Sequence, residues 1–288
     1  MQTGARDARR LVRDAAEKLG NAGVPEPVAS AELLLAELLG VRRSEVALRE
    51  EPLTEEWAAL YEAWISRRLS REPVQRILGY AYFRNLKLDL DEHAFIPRSD
   101  TETVVDAVLE AVDRWGGQCT VLDVGTGSGA IAISTAQERP SCNVHATELS
   151  EGALEVARRN AERAGANVHF HHTDLVSGLD DLAGSVDVLV SNPPYIRSED
   201  VPKLETEVRD WEPSPALGGG PDGLDFFRRL FVEAAPLLTE SADVILEVGD
   251  GQAEDVLELG RSSGYVPLGT RPDLTGRLRA ALLRWGVG

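Results

Sequence analysis

The chain has 288 residues, of which 43% are hydrophobic and 27% charged, so it can form one large globular domain or two smaller ones. A formal net charge of −18 at pH 7 argues against direct binding to nucleic acid, because phosphate contacts need clustered Lys and Arg. No apolar run approaches the roughly 20 residues of a membrane span, and two cysteines are too few for a disulfide framework. We therefore expect a cytoplasmic monomer that contacts neither membrane nor nucleic acid.

Residues 1–72 carry apolar side chains at helical spacing. The spacing predicts two helices that end near Gly20 and Gly40, and a third that begins after Thr54. Three amphipathic helices with short links predict a small bundle. Because this bundle contains no catalytic constellation, we interpret residues 1–72 as a substrate-recognition domain.

The next stretch, residues 73–97, changes to strand periodicity. Leu86, Leu88 and Leu90 alternate with polar side chains, and residues 84–85 have the character of a turn. The pattern predicts a β-hairpin that links the helical domain to the rest of the chain.

Residues 98–288 are predicted to form a catalytic domain. Residues 99–102 have the spacing of a capping box, so we expect a helix to begin there. Strand and helix patterns then alternate, which predicts a parallel sheet covered by helices and hence an α/β fold. Two last apolar runs, at 265–268 and 278–283, are expected to close the sheet as an antiparallel pair.

A glycine-rich loop follows the first strand of this sheet. It consists of Gly125, Thr126, Gly127, Ser128 and Gly129, and its glycines let the backbone approach a ligand without obstruction by side chains. The spacing also satisfies the dinucleotide fingerprint. The loop by itself therefore leaves a nicotinamide-dependent dehydrogenase open.

Acidic side chains lie at the ends of neighbouring strands. Glu148 ends the second strand, where a carboxylate can hold two ribose hydroxyls in either class of enzyme. Asp123 precedes the glycine loop in a pattern that resembles the first motif of class I methyltransferases, and Asp174-Leu175 resembles the residues that flank adenine in those enzymes. These two positions favour a methyltransferase over a dehydrogenase.

Asn192, Pro193, Pro194 and Tyr195 follow a buried strand that is rich in β-branched residues. The strand must end there, since neither proline can donate a ladder hydrogen bond, and the prolines hold the backbone stiffly. Open α/β sheets bind their ligands at this end of the strands. An amide, rigid carbonyls and an aromatic ring could grip a planar NH2 group there; the alternative is a Pro-Pro turn with Tyr195 as ordinary packing.

Residues 196–222 form a long irregular insertion directly after the Asn-Pro-Pro-Tyr motif, which favours a functional lid over a linker.

Alternation places His169 and His171 on one face of the third strand, but no further ligands in register are evident in the sequence. We therefore predict no metal site.

Asn-Pro-Pro-Tyr after a strand resembles the signature of S-adenosylmethionine-dependent methyltransferases that modify exocyclic or amide nitrogens. Over nearly its whole length the chain resembles one family, the bacterial protein-(glutamine-N5) methyltransferases of class I peptide chain release factors. The matching stretches are residues 71–79, 95–98 with 101–102, 123–129, 191–196, 212–217, 222–224, 247–249, and 273–277 with Arg279. The resemblance implies a Rossmann-like domain with a seven-stranded, mostly parallel sheet.

The resemblance also implies a cofactor and site residues. The cofactor would be S-adenosyl-L-methionine, converted to S-adenosyl-L-homocysteine, with no metal. The cofactor-binding residues would be Gly125, Thr126, Gly127, Ser128, Gly129, Glu148, Asp174, Leu175 and Asn192. The catalytic and glutamine-binding residues would be Asn192, Pro193, Pro194 and Tyr195, with Phe95 as a further substrate contact. Two positions depart from the family pattern: Glu148 stands where Asp is usual, and Leu175 where an aromatic often lies.

The implied substrates are release factors 1 and 2, methylated on the glutamine of their Gly-Gly-Gln loop. Thr101-Glu102 after Arg98, and the sequence at 123–126, resemble the release-factor group rather than the group that methylates a large-subunit ribosomal protein. That second group stays open as an alternative, as does a DNA adenine-N6 methyltransferase, although the negative charge argues against DNA. A non-enzymatic nucleotide-binding regulator is a third possibility.

Overall fold

The computed structural model describes residues 7–49 and 53–286. The described residues divide into two compact units: the first contains those up to Gly79 together with Glu205–Trp211, and the second contains Tyr80–Leu204 and those from Glu212 onward. The division into domains 1–72, 73–97 and 98–288 stays a prediction. Among the described helices, none combines the length and the apolar character that a membrane crossing requires.

The described helices and strands alternate over most of the second unit. The helices are α1 (Ala8–Asn21), α2 (Pro27–Leu39), α3 (Glu55–Leu69), α4 (Val74–Leu78), α5 (Glu102–Arg114), α6 (Ala130–Glu138), α7 (Glu151–Ala164), α8 (Thr206–Arg209), α9 (Asp225–Glu233) and α10 (Ala253–Ser262). The strands are β1 (Tyr80–Phe83), β2 (Leu86–Asp89), β3 (Thr120–Val124), β4 (Asn143–Glu148), β5 (Val168–His172), β6 (Val186–Ser191), β7 (Leu238–Glu247), β8 (Tyr265–Pro272) and β9 (Leu278–Trp285).

The first unit is helical, as predicted. Thr54 caps α3 by accepting a hydrogen bond from the backbone N–H of Trp57 at 3.3 Å, and Gly40 ends α2 in the left-handed conformation. Its core includes the fully buried side chains of Leu34 and Tyr61, and the Tyr61 hydroxyl bonds a backbone carbonyl of α2. Burial of these apolar faces holds the helices together.

The second unit contains a hairpin and a seven-stranded sheet, which confirms the predicted fold class. β1 and β2 pair antiparallel around the turn at 84–85. The larger sheet has the order β5-β4-β3-β6-β7-β9-β8; the pairings from β5 to β7 are parallel, and β9 pairs antiparallel with both β7 and β8. Alternate residues of β3 enter two different cores, Val121 with α5 and α6 and Leu122 with α9 and α10. Helices therefore cover both faces of the sheet.

The strand order reverses between β3 and β6, which lie side by side at the centre of the sheet. From β3 the chain continues outward to β4 and β5 on one side, and from β6 to β7 on the other. This reversal opens a crevice at the carboxyl ends of β3 and β6, where open α/β sheets bind ligands. The glycine loop follows β3 and the Asn-Pro-Pro-Tyr motif follows β6.

The predicted capping box at 99–102 is wrong. Residues 99–101 form a 3-10 turn, and α5 begins only at Glu102 without a side-chain cap. The Thr101 hydroxyl instead donates to Glu247 Oε2 at 2.6 Å, and Glu102 Oε1 accepts from the Arg84 backbone N–H at 3.0 Å. The Glu102 carboxylate, which a capping box with Ser99 would have used, is therefore bound to a partner distant along the chain.

The boundaries around β7 also differ from the prediction. We predicted a helix over 223–238 and a strand over 244–248, whereas α9 ends at Glu233 and β7 begins at Leu238. Leu238 pairs with Val186 of β6, and the register then shifts before Val188 pairs with Asp243. Ser241 lies within this irregular part of β7 and has a left-handed φ of 68°. The regular alternation of side chains is lost there, and polar residues occupy this part of the strand.

Candidate active site

A cavity of about 550 Å³ lies at the carboxyl ends of β3 and β6, within the second unit. Its lining includes all but one of the residues predicted for the site. These are Phe95, Gly125, Thr126, Gly127, Ser128, Glu148, Asp174, Leu175, Asn192, Pro193, Pro194 and Tyr195. Gly129 lies behind the lining, at the start of α6, where an added Cβ would meet Ile133 and Ala157. The structure therefore brings both predicted half-sites into one space.

The glycine loop is held by the fully buried carboxylate of Asp123. Its Oδ2 accepts hydrogen bonds from the Thr126 hydroxyl at 2.6 Å and from the Ala132 backbone N–H at 3.2 Å. Burial raises the pKa of Asp123 to about 7, against the opposing effect of these two hydrogen bonds. The carboxylate thus joins the start of the loop to the first turn of α6.

Two glycines of the loop face open space. Gly125 and Gly127 have φ of 75° and 58°, and a Cβ built on either would meet no atom of the described structure within 4 Å. Both glycines belong to the lining of the cavity. The loop is therefore a backbone cradle in which a side chain would occupy the space left for a ligand.

Glu148 reaches back to the loop from the end of β4. Its Oε2 accepts from the Gly127 backbone N–H at 2.9 Å, and its Oε1 accepts from the Ser150 backbone N–H at 2.9 Å. A carboxylate oxygen can accept more than one hydrogen bond, so both oxygens keep capacity for hydroxyl groups of a ligand. The side chain therefore orders the loop while it lines the cavity.

Asp174 and Leu175 follow β5 and also line the cavity. Asp174 Oδ2 pairs with Arg229 at 2.9 Å, and Leu175 is buried at φ 51°, a left-handed conformation that is uncommon for leucine. Phe226 and Arg229, both on α9, also line the cavity. No sequence pattern indicated the Phe226 ring, because α9 follows the irregular insertion and carries no motif of its own.

The second half-site is organised by a buried carboxylate, that of Glu247. The Asn192 Nδ2 donates to Thr101 Oγ1 at 3.2 Å, and the Thr101 hydroxyl donates to Glu247 Oε2 at 2.6 Å. The Tyr195 hydroxyl reaches Glu247 Oε1 at 3.3 Å. Thr101 and Glu247 belong to stretches that carried the family resemblance, but the sequence indicated no role for either.

Glu247 and Tyr195 both lie in a strongly desolvated environment. Burial raises the pKa of Glu247 to about 7, although the Thr101 hydrogen bond and the Arg279 guanidinium act in the opposite direction. The pKa of Tyr195 is raised by burial and then by the nearby Glu247 carboxylate. Tyr195 is therefore a neutral phenol near pH 7, and its hydroxyl can donate a hydrogen bond to Glu247.

The backbone of the Asn-Pro-Pro-Tyr motif is bonded on both sides. Ser191 Oγ donates to the Val124 carbonyl at 2.6 Å, which joins the ends of β6 and β3. The Ile196 N–H bonds the Leu217 carbonyl at 3.0 Å, and the Gly219 N–H bonds the Ile196 carbonyl at 2.8 Å. These two bonds join the first residue of the predicted lid, residues 196–222, to the later part of the same segment; the motion of the lid stays a prediction.

Phe95 lies in the wall of the cavity next to a charged side chain. The Arg98 guanidinium is 5.0 Å from the centre of the Phe95 ring, within the range of a cation–π contact. Glu212, whose side chain is fully buried, accepts from Arg98 Nη2 at 2.7 Å and from the Ile96 backbone N–H at 3.2 Å. One carboxylate therefore restrains the chain immediately after Phe95.

The predicted histidine pair is part of a larger cluster outside the cavity lining. His169 and His171 share one face of β5, as alternation predicted, and His145 of β4 stacks against both rings. His145 Nδ1 lies 3.0 Å from His171 Nε2. Burial lowers the pKa of His145 to about 4, with the neighbouring His169 and His171 acting in the same direction.

Two segments of the chain match known protein families. Residues 10–79 match the PrmC N-terminal domain family and residues 102–207 match the methyltransferase small domain family. A crystal structure of a methyltransferase from Pyrococcus furiosus has a similar fold, with a TM-score of 0.51 at 20% identity over 78% of this chain and 98% of that one.

Relatives in sequence extend over almost the whole chain. The release factor glutamine methyltransferase of Streptomyces coelicolor is 40% identical over 275 residues, which cover 95% of this chain and 96% of that protein. The release factor glutamine methyltransferase of Rhodospirillum rubrum is 40% identical over 278 residues, 96% of this chain and 84% of that protein. With this identity over such a span, the chain belongs to the family of release factor glutamine methyltransferases.

Proposed function

We propose that this protein transfers a methyl group from S-adenosylmethionine to the side-chain amide nitrogen, N5, of the glutamine in the Gly-Gly-Gln loop of class I peptide chain release factors 1 and 2. The observation that carries the proposal is the state of Asn192. Its Nδ2 is bonded to Thr101, while its Oδ1 has no donor among the described residues and the side chain lines the cavity beside the glycine loop. An acceptor in this place suits a substrate amide N–H.

The residues around the glycine loop fit the cofactor. The open cradle at Gly125 and Gly127 leaves room for backbone contact, and Glu148 keeps acceptor capacity for the two ribose hydroxyls. The cavity volume lies within the range of small-molecule sites, roughly 300 to 1,000 Å³. When bound, S-adenosylmethionine supplies an activated methyl group; the residues of this chain bind and orient it.

An amide nitrogen is a poor nucleophile because its lone pair is delocalised into the carbonyl. In the proposed mechanism Asn192 Oδ1 and the Pro193 carbonyl each accept one N–H of the glutamine amide. The two hydrogen bonds orient the nitrogen, and Tyr195 and Phe95 pack against the faces of the amide. Holding the nitrogen against the methyl carbon in the geometry of in-line transfer is the main catalytic effect.

The methyl transfer needs no strong general base. The amide nitrogen forms a bond to the methyl carbon as the sulfur–carbon bond of the cofactor breaks, and the sulfur keeps the electron pair. The nitrogen then carries a positive charge and is far more acidic, so its proton passes to solvent. The products are N5-methylglutamine and S-adenosylhomocysteine.

The choice of a glutamine flanked by glycines follows from the rigidity of the motif. Pro193 and Pro194 fix their backbone and cannot move aside, so the acceptor must arrive on a slim segment. Glycine has no side chain to obstruct a narrow entrance, and its backbone adopts left-handed conformations that other residues avoid. The relatives from Streptomyces coelicolor and Rhodospirillum rubrum are named for release factors, which supports the same substrate here.

The helical first unit is proposed to bind the release factor. It has no catalytic constellation, and α3 exposes Trp57 and Leu60, which are 41% and 42% accessible and one helical turn apart. Substituting both by alanine should raise KM for the protein substrate and leave cofactor affinity unchanged. Val232→Ala, at an exposed position on α9, is the matched control.

The activity is tested with labelled cofactor and separate acceptors: release factor 1, release factor 2, the large-subunit ribosomal protein and duplex DNA. Mass spectrometry should place the label on the glutamine of the Gly-Gly-Gln loop, and Gln→Ala in that loop should abolish it. Label on the ribosomal protein alone would reject the substrate and keep the chemistry. Label on DNA alone, or cofactor binding without transfer to any acceptor, would reject the proposal.

A further inference from the structure

We infer that Glu247 is a positioning residue that determines, through Thr101, which atom of the Asn192 amide faces the acceptor. The inference rests on the proposed function, because it concerns how the glutamine amide is gripped. It starts from the direction of the hydrogen bonds: Asn192 Nδ2 donates to Thr101 Oγ1, and Thr101 Oγ1 donates to Glu247 Oε2.

A hydroxyl group has one proton and can donate only one hydrogen bond. In this structure the Thr101 proton lies in a 2.6 Å contact with Glu247, which is short and typical of a hydroxyl bonded to a carboxylate. Toward Asn192 the hydroxyl therefore presents only a lone pair. A lone pair opposite Asn192 selects its NH2 group, so that Oδ1 is turned to the cavity.

The placement of Glu247 follows from the sheet. Ser191 of β6 is in register with Leu246 of β7, so Asn192, which follows β6, lies next to Glu247, the last residue of β7. Glu247 is only 2% exposed, which removes water as a competing partner for its carboxylate. The second carboxylate oxygen accepts a hydrogen bond from the Tyr195 hydroxyl at 3.3 Å. One group that only accepts hydrogen bonds therefore aligns both Asn192 and Tyr195, which are proposed to contact the substrate.

The alignment depends on a group at 247 that accepts and does not donate. A carboxamide, or a protonated carboxyl group, can donate a proton to Thr101 Oγ1. Thr101 would then be free to donate to Asn192 Oδ1, which turns the NH2 group of Asn192 toward the cavity. Two N–H groups would face each other where the substrate amide binds, and the nitrogen would lose its orientation.

Two charged groups near Glu247 act on its ionisation in opposite directions. The Arg279 guanidinium favours the carboxylate, whereas Asp100 disfavours it, and Arg279 itself pairs with Asp100 at 2.9 Å and with Asp273 at 3.4 Å. Because burial raises the pKa of Glu247 to about 7, the carboxylate form is lost as the pH falls through neutrality. Turnover should decline in the same range.

The test uses the full-length enzyme, release factor 1 and three variants. Glu247→Gln keeps the shape but can donate, Thr101→Val removes the hydroxyl at nearly equal volume, and Thr101→Ser keeps the hydroxyl. We expect Glu247→Gln and Thr101→Val to lower kcat on the order of 100-fold, with the cofactor Kd changed by less than about threefold. Thr101→Ser should recover most of the loss seen in Thr101→Val.

The pH profile of kcat is the second measurement. The wild type should lose activity below about pH 7, and this limb should be absent in Glu247→Gln, which has no carboxyl group to titrate. If Glu247→Gln does not fold, as judged by its thermal transition and cofactor binding, the Thr101→Val and Thr101→Ser pair carries the test.

Two outcomes separate this inference from the proposed function. A wild-type enzyme that methylates no release factor would reject the proposed function. A wild-type enzyme that methylates release factor 1, with Thr101→Val or a folded Glu247→Gln at near-normal kcat, would overturn the positioning role alone. Equal loss in Thr101→Ser and Thr101→Val would also overturn it, since the hydroxyl would then not be what matters.

Discussion

The side-chain amide of Gln252 joins two turns of the active site. Its Nε2 donates to the backbone carbonyl of Tyr195 at 2.9 Å, and its Oε1 accepts from the Gly249 N–H at 3.0 Å. The residue is 7% exposed, so both hydrogen bonds form in a place that water reaches poorly. The turn after β7 therefore supports the turn after β6, where the substrate amide is proposed to bind.

Removing this support should cost both stability and turnover. Gln252→Ala leaves a buried carbonyl and a buried N–H without their partner, which should lower the free energy of unfolding by roughly 1–3 kcal/mol. Tyr195 would lose its restraint, so kcat should fall while cofactor affinity stays similar. Chemical denaturation and steady-state kinetics measure the two effects. Gln137→Ala, which removes a side-chain bond to a backbone carbonyl on an exposed surface, is the control and should change neither.

Asn192→Ala should separate binding of the cofactor from methyl transfer. The substitution removes Oδ1, the proposed acceptor for the substrate amide, but leaves the glycine loop and its contacts intact. Turnover should fall by about two to three orders of magnitude, with cofactor affinity within a few-fold of wild type. Calorimetry and a labelled-methyl assay measure these quantities. Asn167→Ala, at an exposed position, is the control; near-normal turnover in Asn192→Ala would reject the mechanism.

A methyl group added to the glycine loop should block the cofactor. At Gly127 a Cβ would project into the open cradle, and the left-handed φ of 58° would add strain of about 1–2 kcal/mol. We expect Gly127→Ala to weaken cofactor binding by at least tenfold in calorimetry. Gly165→Ala is matched in strain, with φ of 64° and open space around it, but Gly165 ends α7 away from the cavity lining. Equal loss of affinity in both variants would contradict a direct role for Gly127.

The histidine cluster should make the edge of the sheet sensitive to acid. The pKa of His145 is about 4 in the folded chain against an ordinary value of 6.5, so between these values the unfolded chain binds a proton that the folded chain does not. The protonation of His145 therefore leaves the free energy of unfolding unchanged above about pH 6.5 and lowers it as the pH falls toward 4. His145→Gln removes this titration. The free energy of unfolding of the wild type, relative to that of the variant, should fall between pH 7 and pH 5. A difference that stays constant over this range would contradict the prediction.

The sequence by itself determined the features that depend on short stretches of chain. A β-branched run followed by Pro193 and Pro194 predicts a strand that ends there, and the glycines of 125–129 predict a loop whose backbone a ligand can approach. Alternation along β5 correctly placed His169 and His171 on one face. Since the carboxyl ends of parallel strands meet at one edge of a sheet, these local patterns were enough to predict one shared site.

Only the tertiary structure decided which side chains support that site. Thr101 lies within the predicted capping box at 99–102, yet its hydroxyl bonds Glu247, 146 positions away along the chain. The bulge in β7 and the register of β6 with β7 bring Glu247 beside Asn192, and neither can be read from residue spacing. Periodicity reports the face on which a residue lies, whereas a hydrogen-bond partner depends on register and packing between distant elements. For this reason most of the residues that line the cavity were predictable from the sequence, and the buried carboxylates that hold them were not.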